Sequence, residues 1–562
     1  MNIQVLLEKY FDVAFAAPNG VKRLRELILS LAMQGKLVAQ DPHDVPASML
    51  LKEIETEKNR LMKDGKIKLS KPLPEIKPDE VPYNLPKSWE WVRLGQIANY
   101  NGRLNINPEE IKSETWLLDL EDIEKDTSRI IYKAKYSERQ SKSTKSTFLM
   151  GDVLYGKLRP YLNKVVVADT DGVCTTEIVP IVLFGNIDSH FFKWALKRSA
   201  FLDYVNSLMY GVKMPRLGTE QAIISVHPLP PFAEQRRIVA KINELMARCD
   251  ELEKLRENLN QKQITVHKSA LNRLLTANDQ SDFNTAWQFI TQHFGELYSV
   301  KENVAELRKA ILQLAVMGKL VPQDPIDRPA SELLKEIEKE KQRLLKDKKI
   351  KPQKELPEFN LMEVPYQVPD SWSWCYLDDL CTLITDGTHH TPTYIDNGIP
   401  FISVKNVSSG KIDFSTTRFI SEEEHYELIK RCHPEIGDVL LTKVGTTGIA
   451  VPINTTDNFS IFVSVALLKI VKDLIDQNYV VRLINSPLVK KYSSDGTEGV
   501  GNKNLVLRKI KSFLVPLPPL AEQQRIVAKC DQLMALCDNL EKQIDETNSK
   551  KTNLLNAVMT KV

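Results

Sequence analysis

The sequence predicts an α+β protein in which two α+β domains are separated by two antiparallel coiled-coil helical units, with an approximate two-fold arrangement. Three observations support this prediction. Residues 228–254 and 516–542 agree at 20 of 27 positions. A second series of helical motifs recurs at an offset of 283 residues, and the regions between the repeats combine β-rich runs with predicted helices.

Length and composition limit the class of protein. With 562 residues the chain is too long for one core and suggests roughly three to five domains. Charged residues make up 27% of the chain but the net charge is only +3, so a nucleic-acid-binding face would be a local concentration of Lys and Arg. The seven cysteines include no Cys-x-x-Cys pair, which favours reduced, buried thiols. Without a run of 18 apolar residues, we expect a cytoplasmic protein with no membrane partner.

The first predicted segment, residues 1–87, is helical. Apolar residues recur at helical spacing in residues 24–38, and Gly35 is a predicted helix stop. A second helix is predicted from about Ala47 to Asp64. The Pro-rich stretch that follows predicts an extended linker, so a new domain is expected to begin near Trp89.

Two regions with divergent sequences follow the helical segments. The first variable domain is predicted at residues 88–231 and the second variable domain at 371–519. Both contain Gly-Asp-Val-Leu, at 151–154 and 437–440, within β-rich surroundings. Each domain also has a predicted helix, at 189–206 and 473–492.

The central segment, 232–370, joins a long helix to a repeat of the N-terminal helices, and the C-terminal segment, 520–562, contains the second long helix. Residues 520–562 followed by the N-terminal helices would rebuild a copy of the central segment. Residues 1–20 match 284–303, and both are predicted helix-packing segments.

Each long helix follows an extended Pro-Leu-Pro-Pro run and places Glu234 or Glu522 in its first turn, where a carboxylate suits the helix dipole. Apolar residues then alternate in steps of four and three, which predicts a coiled-coil seam and a spacer on the order of 60 Å long. The predicted seam residues are Ile238, Ile242, Leu245, Cys249, Leu252 and Leu259, and Ile526, Cys530, Leu533, Cys537, Leu540 and Ile544.

The sequence lacks the usual signatures of catalysis. The glycine clusters at 445–448 and 496–501 have no phosphate-loop Lys and are interpreted as turns. His389–His390 and Cys432–His433 have no partners at the spacing of a zinc site. An amino-methyltransferase needs Asp or Asn before Pro-Pro-aromatic, and leucine occupies that position in both copies. We therefore predict no catalytic site, cofactor site or metal site in this chain.

The repeated motifs PLPP-x-AEQ-x-RIVAK and LRELIL-x-LAMQGKLV-x-QDP, which alternate with two unlike domains, resemble those of the specificity subunits of type I restriction-modification systems. The resemblance covers the whole chain. It implies a non-catalytic subunit that binds double-stranded DNA and assembles with two modification (methyltransferase) subunits and with restriction subunits. S-adenosylmethionine would then be bound by the modification subunit, and ATP and Mg by the restriction subunit.

The resemblance also implies a division of labour within the chain. Each variable domain would read one half of a bipartite asymmetric site, and the long helices would set the spacing between the halves. Two alternatives from other classes remain open at this point: a fused methyltransferase-nuclease enzyme, or a scaffold protein that does not bind DNA.

Candidate DNA-contacting residues are chosen for their basic or amide side chains in polar loops, since Lys suits phosphates, Arg reads guanine and Asn reads adenine. In the first variable domain they are Lys142, Lys145, Lys157, Arg159, Tyr161, Lys164, Lys213 and Arg216. In the second variable domain they are Thr388, His389, His390, Lys405, Lys443, Asn502, Lys503, Asn504 and Arg508.

The preferred base-reading sites are the Gly-flanked loops that precede the last strand of each domain, around Lys213 and around Asn504. A solvated turn is the alternative interpretation for each loop. The loop at 385–394 is similar to one that recurs in the family, and its residues 388–390 are expected to be exposed at the tip. The tryptophan pairs near residues 90 and 373 are predicted to pack in a core rather than to stack on bases.

Overall fold

A computed structural model of the protein describes residues 16–67, 72–139, 142–208, 213–277, 279–352, 354, 356–360, 362, 364–498 and 504–559. The chain divides into two units. The first unit comprises Met1–Asn258 and Thr547–Val562, and the second comprises Leu259–Glu546. Both boundaries cut the long helices, so the division into five segments stays a prediction. The C-terminal residues belong to the same unit as the N-terminal helices, as the repeat pattern predicts.

The first unit combines helices with three β-sheets. Its helices are α1 (Gly20–Met33), α2 (Ala47–Lys63), α3 (Leu94–Ile97), α4 (Ser189–Lys197), α5 (Ser199–Ser207), α6 (Thr219–Ile224) and the start of α7 (Phe232–Leu275). Its strands are β1 (Glu90–Arg93), β2 (Ala98–Tyr100), β3 (Asn105–Ile106), β4 (Trp116–Leu118), β5 (Ala134–Lys135), β6 (Lys145–Phe148), β7 (Val153–Gly156), β8 (Val165–Val167), β9 (Gly172–Cys174), β10 (Ile178–Leu183) and β11 (Val226–Leu229).

The second unit repeats this combination. Its helices are α8 (Gln280–Gln292), α9 (Phe294–Leu297), α10 (Lys301–Val316), α11 (Ala330–Lys346), α12 (Val404–Val407), α13 (Glu422–Ile429), α14 (Gln477–Asn485), α15 (Pro487–Asp495), α16 (Leu507–Lys511) and most of α17 (Leu520–Met559). Its strands are β12 (Ser373–Tyr376), β13 (Cys381–Asp386), β14 (Ile399–Ile402), β15 (Arg418–Ile420), β16 (Val439–Thr442), β17 (Ala450–Pro452), β18 (Ser460–Ile461), β19 (Val465–Ile470), β20 (Thr497–Glu498), β21 (Asn504–Leu505) and β22 (Leu514–Leu517).

One antiparallel four-stranded sheet recurs in both variable domains. Its order is β2-β10-β7-β8 in the first and β13-β19-β16-β17 in the second. The Gly-Asp-Val-Leu repeat leads into β7 and β16, whose residues are all buried. A strand buried on both faces reads as a continuous apolar run, which explains why this motif survives between otherwise unlike sequences. The prediction of two α+β domains is confirmed.

The outer sheets differ between the two domains. The first variable domain adds the five-stranded sheet β3-β6-β9-β4-β5, which shares an apolar core with the four-stranded sheet. The second variable domain adds the three-stranded sheet β15-β14-β18 and the pair β20-β21. The two domains therefore differ in architecture in the sheets that lie outside the repeated four-stranded sheet.

A buried carboxylate joins each variable domain to its long helix. Glu234 in the first turn of α7 accepts hydrogen bonds from Trp89 Nε1 at 2.9 Å and from Gln40 Nε2 at 2.5 Å. In the second unit, Glu522 accepts from Trp372 Nε1 at 2.9 Å and from Gln323 Nε2 at 2.7 Å. Burial raises the pKa of both carboxyl groups. These glutamates therefore anchor helix, domain and repeat to one another, in addition to suiting the helix dipole.

The tryptophans pack as the sequence predicts. Trp89 and Trp372 are buried, and the strands that follow them, β1 and β12, pair antiparallel with the Pro-Leu strands β11 and β22. The two ends of each variable domain are thus held side by side, directly before the long helix begins. Base stacking by these indoles is excluded in this conformation because their rings lie in the core.

Helix boundaries agree with the sequence in the repeats and differ in the variable domains. Gly35 follows α1 at φ +68, and α2 ends at Lys63, as predicted. The helix predicted at 189–206 is broken at Arg198, which has an extended backbone, and the helix predicted at 473–492 is broken at Ser486. Pro487 explains the second break because a residue before proline avoids helical geometry. The guanidinium of Arg198 satisfies the carbonyl of Ala195 at the first break.

The predicted seam is correct in α17 and only partly correct in α7. Ile526, Cys530 and Cys537 are buried, and the other seam residues of α17 pack against the same core. In α7 the buried stretch runs from Ile238 to Cys249, whereas Leu252 and Leu259 are 44% and 57% exposed. The seam prediction is wrong at those two leucines, because heptad spacing alone does not show where a packing partner ends. All seven cysteines are free and buried, as predicted.

The buried His227 gives a testable pH dependence. Its imidazole Nδ1 lies 3.0 Å from the Arg198 guanidinium, and its pKa is held well below the usual value by burial and then by Arg198. A depressed histidine pKa stabilises the fold above the unfolded pKa of about 6.5 and loses that contribution as the pH falls below it. We expect the unfolding free energy to fall by up to about 1.4 kcal/mol per pH unit below pH 6.5.

NMR titration of the histidine rings tests this expectation directly. The His227 resonance is expected to keep the chemical shift of a neutral imidazole from pH 8 to pH 5. A His227 midpoint near 6.5 would contradict the expectation.

Candidate nucleic-acid interface

Two stretches predicted separately in the first variable domain lie side by side. Leu158 and Arg216 form a β-bridge, and two backbone hydrogen bonds extend it. The amide of Arg159 donates to the carbonyl of Pro215 at 2.8 Å, and the amide of Leu217 donates to the carbonyl of Lys157 at 3.0 Å. The loop after β7 and the loop before α6 therefore form one surface.

The second variable domain has the same arrangement. Val444 and Asn504 form a β-bridge, and the amide of Leu505 donates to the carbonyl of Lys443 at 2.7 Å. Lys443 follows the Gly-Asp-Val-Leu repeat at the same distance as Lys157 does in the first domain. The paired loops thus occupy equivalent positions at the end of the repeated sheet. Asn502 and Lys503 lie outside the described residues.

The candidates of the first variable domain differ in accessibility. Lys142, Arg159, Tyr161 and Lys213 are exposed. Lys157 and Lys164 are half-buried, and Lys164 Nζ donates to the carbonyl of Leu120 at 2.7 Å.

Lys145 and Arg216 are engaged within the protein. Lys145 is buried, its Nζ donates to Ser143 Oγ at 2.6 Å, and burial lowers its pKa. Arg216 is exposed but forms a paired hydrogen bond with the carboxylate of Glu177, whose pKa is lowered mainly by that bond. The prediction of a DNA contact gains no support at Lys145. Arg216 would have to give up its hydrogen bonds to Glu177 in order to contact DNA.

A residue not singled out in the sequence lies beneath these loops. The ammonium of Lys197 donates to the carbonyls of Asp126 and Asn163 and to Ser128 Oγ, at 2.6–2.9 Å. Burial, then the charge of Lys193, lowers its pKa to about 7. Arg159, Asn163, Asp126 and Ser128 all have positive φ. Non-glycine residues rarely adopt this conformation unless the surroundings enforce it, and Lys197 supplies three of the enforcing bonds.

In the second variable domain, the predicted loop at 385–394 begins on a buried carboxylate. Asp386 accepts a hydrogen bond from Lys443 Nζ at 2.7 Å and another from Arg431 Nη2 at 2.7 Å, and His389 Nε2 lies 3.2 Å away. The fold therefore brings together Lys443 and the loop, which were predicted separately, and adds Arg431. Only the position of Arg431 shortly before the Gly-Asp-Val-Leu repeat could have suggested it from the sequence.

The structure corrects the predicted exposure of Thr388 and shows that a second candidate, Lys443, is inaccessible. Thr388 is buried rather than exposed, because its amide and carbonyl bond with Ile461 and Val463. Lys443 is also buried, since its ammonium is paired with Asp386, so the structure offers no surface of that side chain to DNA. His389 and His390 are exposed as predicted. Lys405 on α12 and Arg508 on α16 are exposed, and Asn504 is half-buried.

The described residues show no arrangement typical of a metal site. No group of three or more His, Cys, Asp or Glu side chains is placed to hold a metal ion in this part of the chain. Gly445 and Gly448 have positive φ in the hairpin between β16 and β17, which confirms the interpretation of the 445–448 cluster as a turn, whereas Gly499 and Gly501 lie outside the described residues. Among the described helices, none combines the length and apolar character needed to span a membrane.

Comparisons with known proteins agree on one family. Residues 369–547 match the family model described as the type I restriction modification DNA specificity domain. The chain is 32% identical to the EcoAI specificity subunit of a type I restriction enzyme from Escherichia coli, over 96% of this chain and 93% of that protein. It is 31% identical to the Escherichia coli EcoEI specificity subunit, with the same coverage of both chains.

A solved structure shares the fold. The chain is similar to one from a study of complex assembly and conformational transition in the type I R-M (restriction-modification) system, with a TM-score of 0.50. The two are 20% identical, and the similarity covers 85% of this chain and 98% of the other. At that level of identity the likeness concerns the fold alone.

Proposed function

The chain belongs to the specificity subunits of type I restriction-modification systems, and we propose that each of its variable domains reads one half of a bipartite, asymmetric DNA site. Membership of this family makes the chain a DNA-specificity subunit and excludes the alternatives of a fused methyltransferase-nuclease and of a scaffold without a DNA role. The role is non-catalytic: the chain supplies the sequence preference of a larger enzyme.

The proposal rests on one observation: both variable domains contain the same pair of bridged loops, but the outer sheets beside them differ. The Leu158–Arg216 and Val444–Asn504 bridges sit at equivalent ends of a shared sheet, whereas the outer sheets differ. A shared frame fixes where DNA is approached, and different loops and outer sheets allow different bases to be read. Because the two variable domains differ in these parts, we expect them to recognise two different half-sites.

We propose the accessible candidates as the contact set. In the first variable domain these are Lys142, Lys157, Arg159, Tyr161, Lys164, Lys213 and Arg216. In the second they are His389, His390, Lys405, Asn504 and Arg508, together with Asn502 and Lys503. Lys and Arg side chains that contact DNA phosphates would supply salt-dependent affinity. Arg and Asn side chains that contact base edges would supply specificity.

The proposed partners follow from the family. We propose that two modification subunits and, for cleavage, restriction subunits assemble on this chain, with double-stranded DNA held by the variable domains. S-adenosylmethionine would be bound by the modification subunits, and ATP and Mg by the restriction subunits, so that this chain itself holds no cofactor. The cytoplasm, where bacterial DNA lies, is the proposed site of action.

A direct experiment is to express the modification subunits in a host with and without this chain, and to sequence the methylome. The expected result is one bipartite motif that appears only when the chain is present. The same motif in its absence would contradict the proposed role.

The long helices provide a prediction about spacing. Helix α7 has 44 residues and would be about 66 Å long. Inserting one heptad in residues 245–259 and the matched heptad in α17 lengthens each helix by about 10 Å, the rise of about three base pairs. We expect the methylome motif to keep both half-sites and to gain about three base pairs of gap.

A length-neutral variant controls for the disturbance of α7. Leu252→Gln with Leu255→Gln changes two exposed side chains without changing the number of residues, and we expect the gap to stay the same. An unchanged gap in the heptad variant would mean that these helices do not set the spacing.

A further inference from the structure

Asp386 pairs with two cationic side chains, although one of them is enough to balance its charge. Its side chain is 3% exposed, and its two oxygens accept from the buried ammonium of Lys443 and from Arg431 Nη2. The Lys443 ammonium balances the carboxylate within the domain. The guanidinium of Arg431 therefore adds an uncompensated positive charge, and this side chain is 54% exposed. A pair that served stability alone would need only one cation.

Arg431 is held at both ends. Its neighbour Cys432 is buried in the core beside β14 and β16, and its Nη2 is fixed by Asp386. Within the described residues, the other N–H groups of the Arg431 guanidinium make no hydrogen bond to the protein. An arginine fork has five donors, so donors remain for a ligand at the surface.

The base of the neighbouring loop is rigid. The amide of Thr388 donates to the carbonyl of Ile461 at 3.1 Å, and the amide of Val463 donates to the carbonyl of Thr388 at 2.9 Å. Gly387 lies so close to β18 that a Cβ would stand 1.9 Å from the carbonyl oxygen of Ile461. Asp386 is consequently fixed by its strand, and it transfers that fixed position to Arg431.

A fixed guanidinium suits a base edge better than a phosphate. Arginine donates two parallel hydrogen bonds to guanine O6 and N7, and this geometry discriminates by about 10- to 100-fold against other bases. A phosphate can be bound equally by a lysine acting as a point charge, so a phosphate contact does not require a guanidinium held in one orientation.

We infer that Arg431 is a specificity-determining residue that contacts a guanine in the DNA half-site of the second variable domain, and that Asp386 is its positioning residue. The inference rests on the proposed function and deepens it. It differs from the predicted contact set, which contained neither residue, and it gives the buried Lys443 the task of balancing Asp386 instead of contacting DNA.

The experiment uses the complex of the full chain with its modification subunits. Methylation rates are measured on duplexes in which each position of the second half-site is varied in turn. Arg431→Lys keeps the charge and removes the fork, so we expect a 10- to 100-fold loss of preference for guanine at one position and an unchanged salt dependence. Asp386→Asn is expected to relax the same position to a smaller extent.

Lys430→Ala is the matched control. Lys430 is exposed beside Arg431 and pairs with Glu427 on the preceding helix, so its loss is expected to leave every base preference unchanged. Equal weakening on all duplexes with Arg431→Gln, together with a salt slope lower by about one, would assign Arg431 to a phosphate and overturn the inference. Unchanged rates and preferences with Arg431→Lys would also overturn it.

The outcome for the first half-site separates this inference from the proposed function. If the inference alone fails, the Arg431 variants still recognise a bipartite motif with unaltered base preferences. If the proposed function fails, the unaltered complex itself shows no half-site that depends on the second variable domain.

Discussion

Replacing Gly387 by alanine is expected to abolish methylation directed by the complex and to destabilise the second unit. The new Cβ would lie 1.9 Å from the carbonyl oxygen of Ile461 and 2.6 Å from the carbonyl carbon of Phe462. Both are backbone atoms, so no side-chain rotation relieves the clash. The loop at 385–394 must then move away from β18, and Asp386 moves with it.

The expected magnitude follows from overpacking. Added methyl groups in packed sites cost about 1–3 kcal/mol, and the backbone contact places Gly387→Ala at the upper end of that range. Thermal unfolding of the full chain would measure the loss of stability, and methylome sequencing would measure the loss of recognition. Both follow from a single displaced segment.

Gly295→Ala is the matched control in the same unit. A Cβ at Gly295 meets no atom within 4 Å, and this residue lies in helix α9, where alanine is favoured over glycine. We expect unchanged or slightly higher stability and an unchanged methylome. Normal stability and methylation in Gly387→Ala would show that the loop can shift without consequence, against the rigidity inferred from the structure.

Removing the buried carboxylate of Glu522 is also expected to destabilise the second unit. Alanine would leave the buried indole N–H of Trp372 without an acceptor inside the protein, whereas the amide of the exposed Gln323 can bond to water. One unsatisfied buried donor costs about 1–3 kcal/mol, so we expect a loss within that range in Glu522→Ala. Urea unfolding followed by tryptophan fluorescence would measure it.

Two further variants test the cause of that loss. Glu522→Gln keeps an acceptor oxygen without a charge, and burial already disfavours the charged carboxylate, so a smaller loss is expected. Glu546→Ala changes an exposed glutamate on the same helix, α17, and is expected to alter the stability by less than about 0.5 kcal/mol. Equal losses for Glu522→Ala and Glu546→Ala would contradict the anchoring role.

The first unit offers an internal repeat of this experiment. Glu234 makes the same two contacts, with Trp89 and Gln40. We expect Glu234→Ala to destabilise its unit by a similar amount.

Features that depend on neighbouring residues were predictable from the sequence. The helix stop at Gly35, the start of the long helices after the proline runs, and the buried strand after Gly-Asp-Val-Leu all follow from local geometry and spacing. Because the motifs occur twice in the chain, each of these features could be predicted from two copies. Family membership and the α+β class followed from the same motifs, because they are carried by contiguous residues.

The candidate interface was only partly predictable. Basic residues in polar loops selected separate stretches, and the β-bridges show that these stretches adjoin within each domain, whereas their contact with DNA stays a prediction. Spacing could not reveal that Lys145 is buried or that the helix at 189–206 breaks at Arg198. Lys197 was missed because its role depends on carbonyls located between 34 and 71 residues away.

The sequence by itself determined the duplicated frame: two long helices, each with a glutamate in its first turn, and two α+β domains between the helical segments. Only the tertiary structure decided what the charged residues of that frame do. It buried Lys443 against Asp386, brought Arg431 to the same carboxylate across 45 residues, and left the guanidinium partly exposed. The physical reason is that charge pairing depends on distance in space and on burial, which strand packing sets and local sequence spacing does not contain.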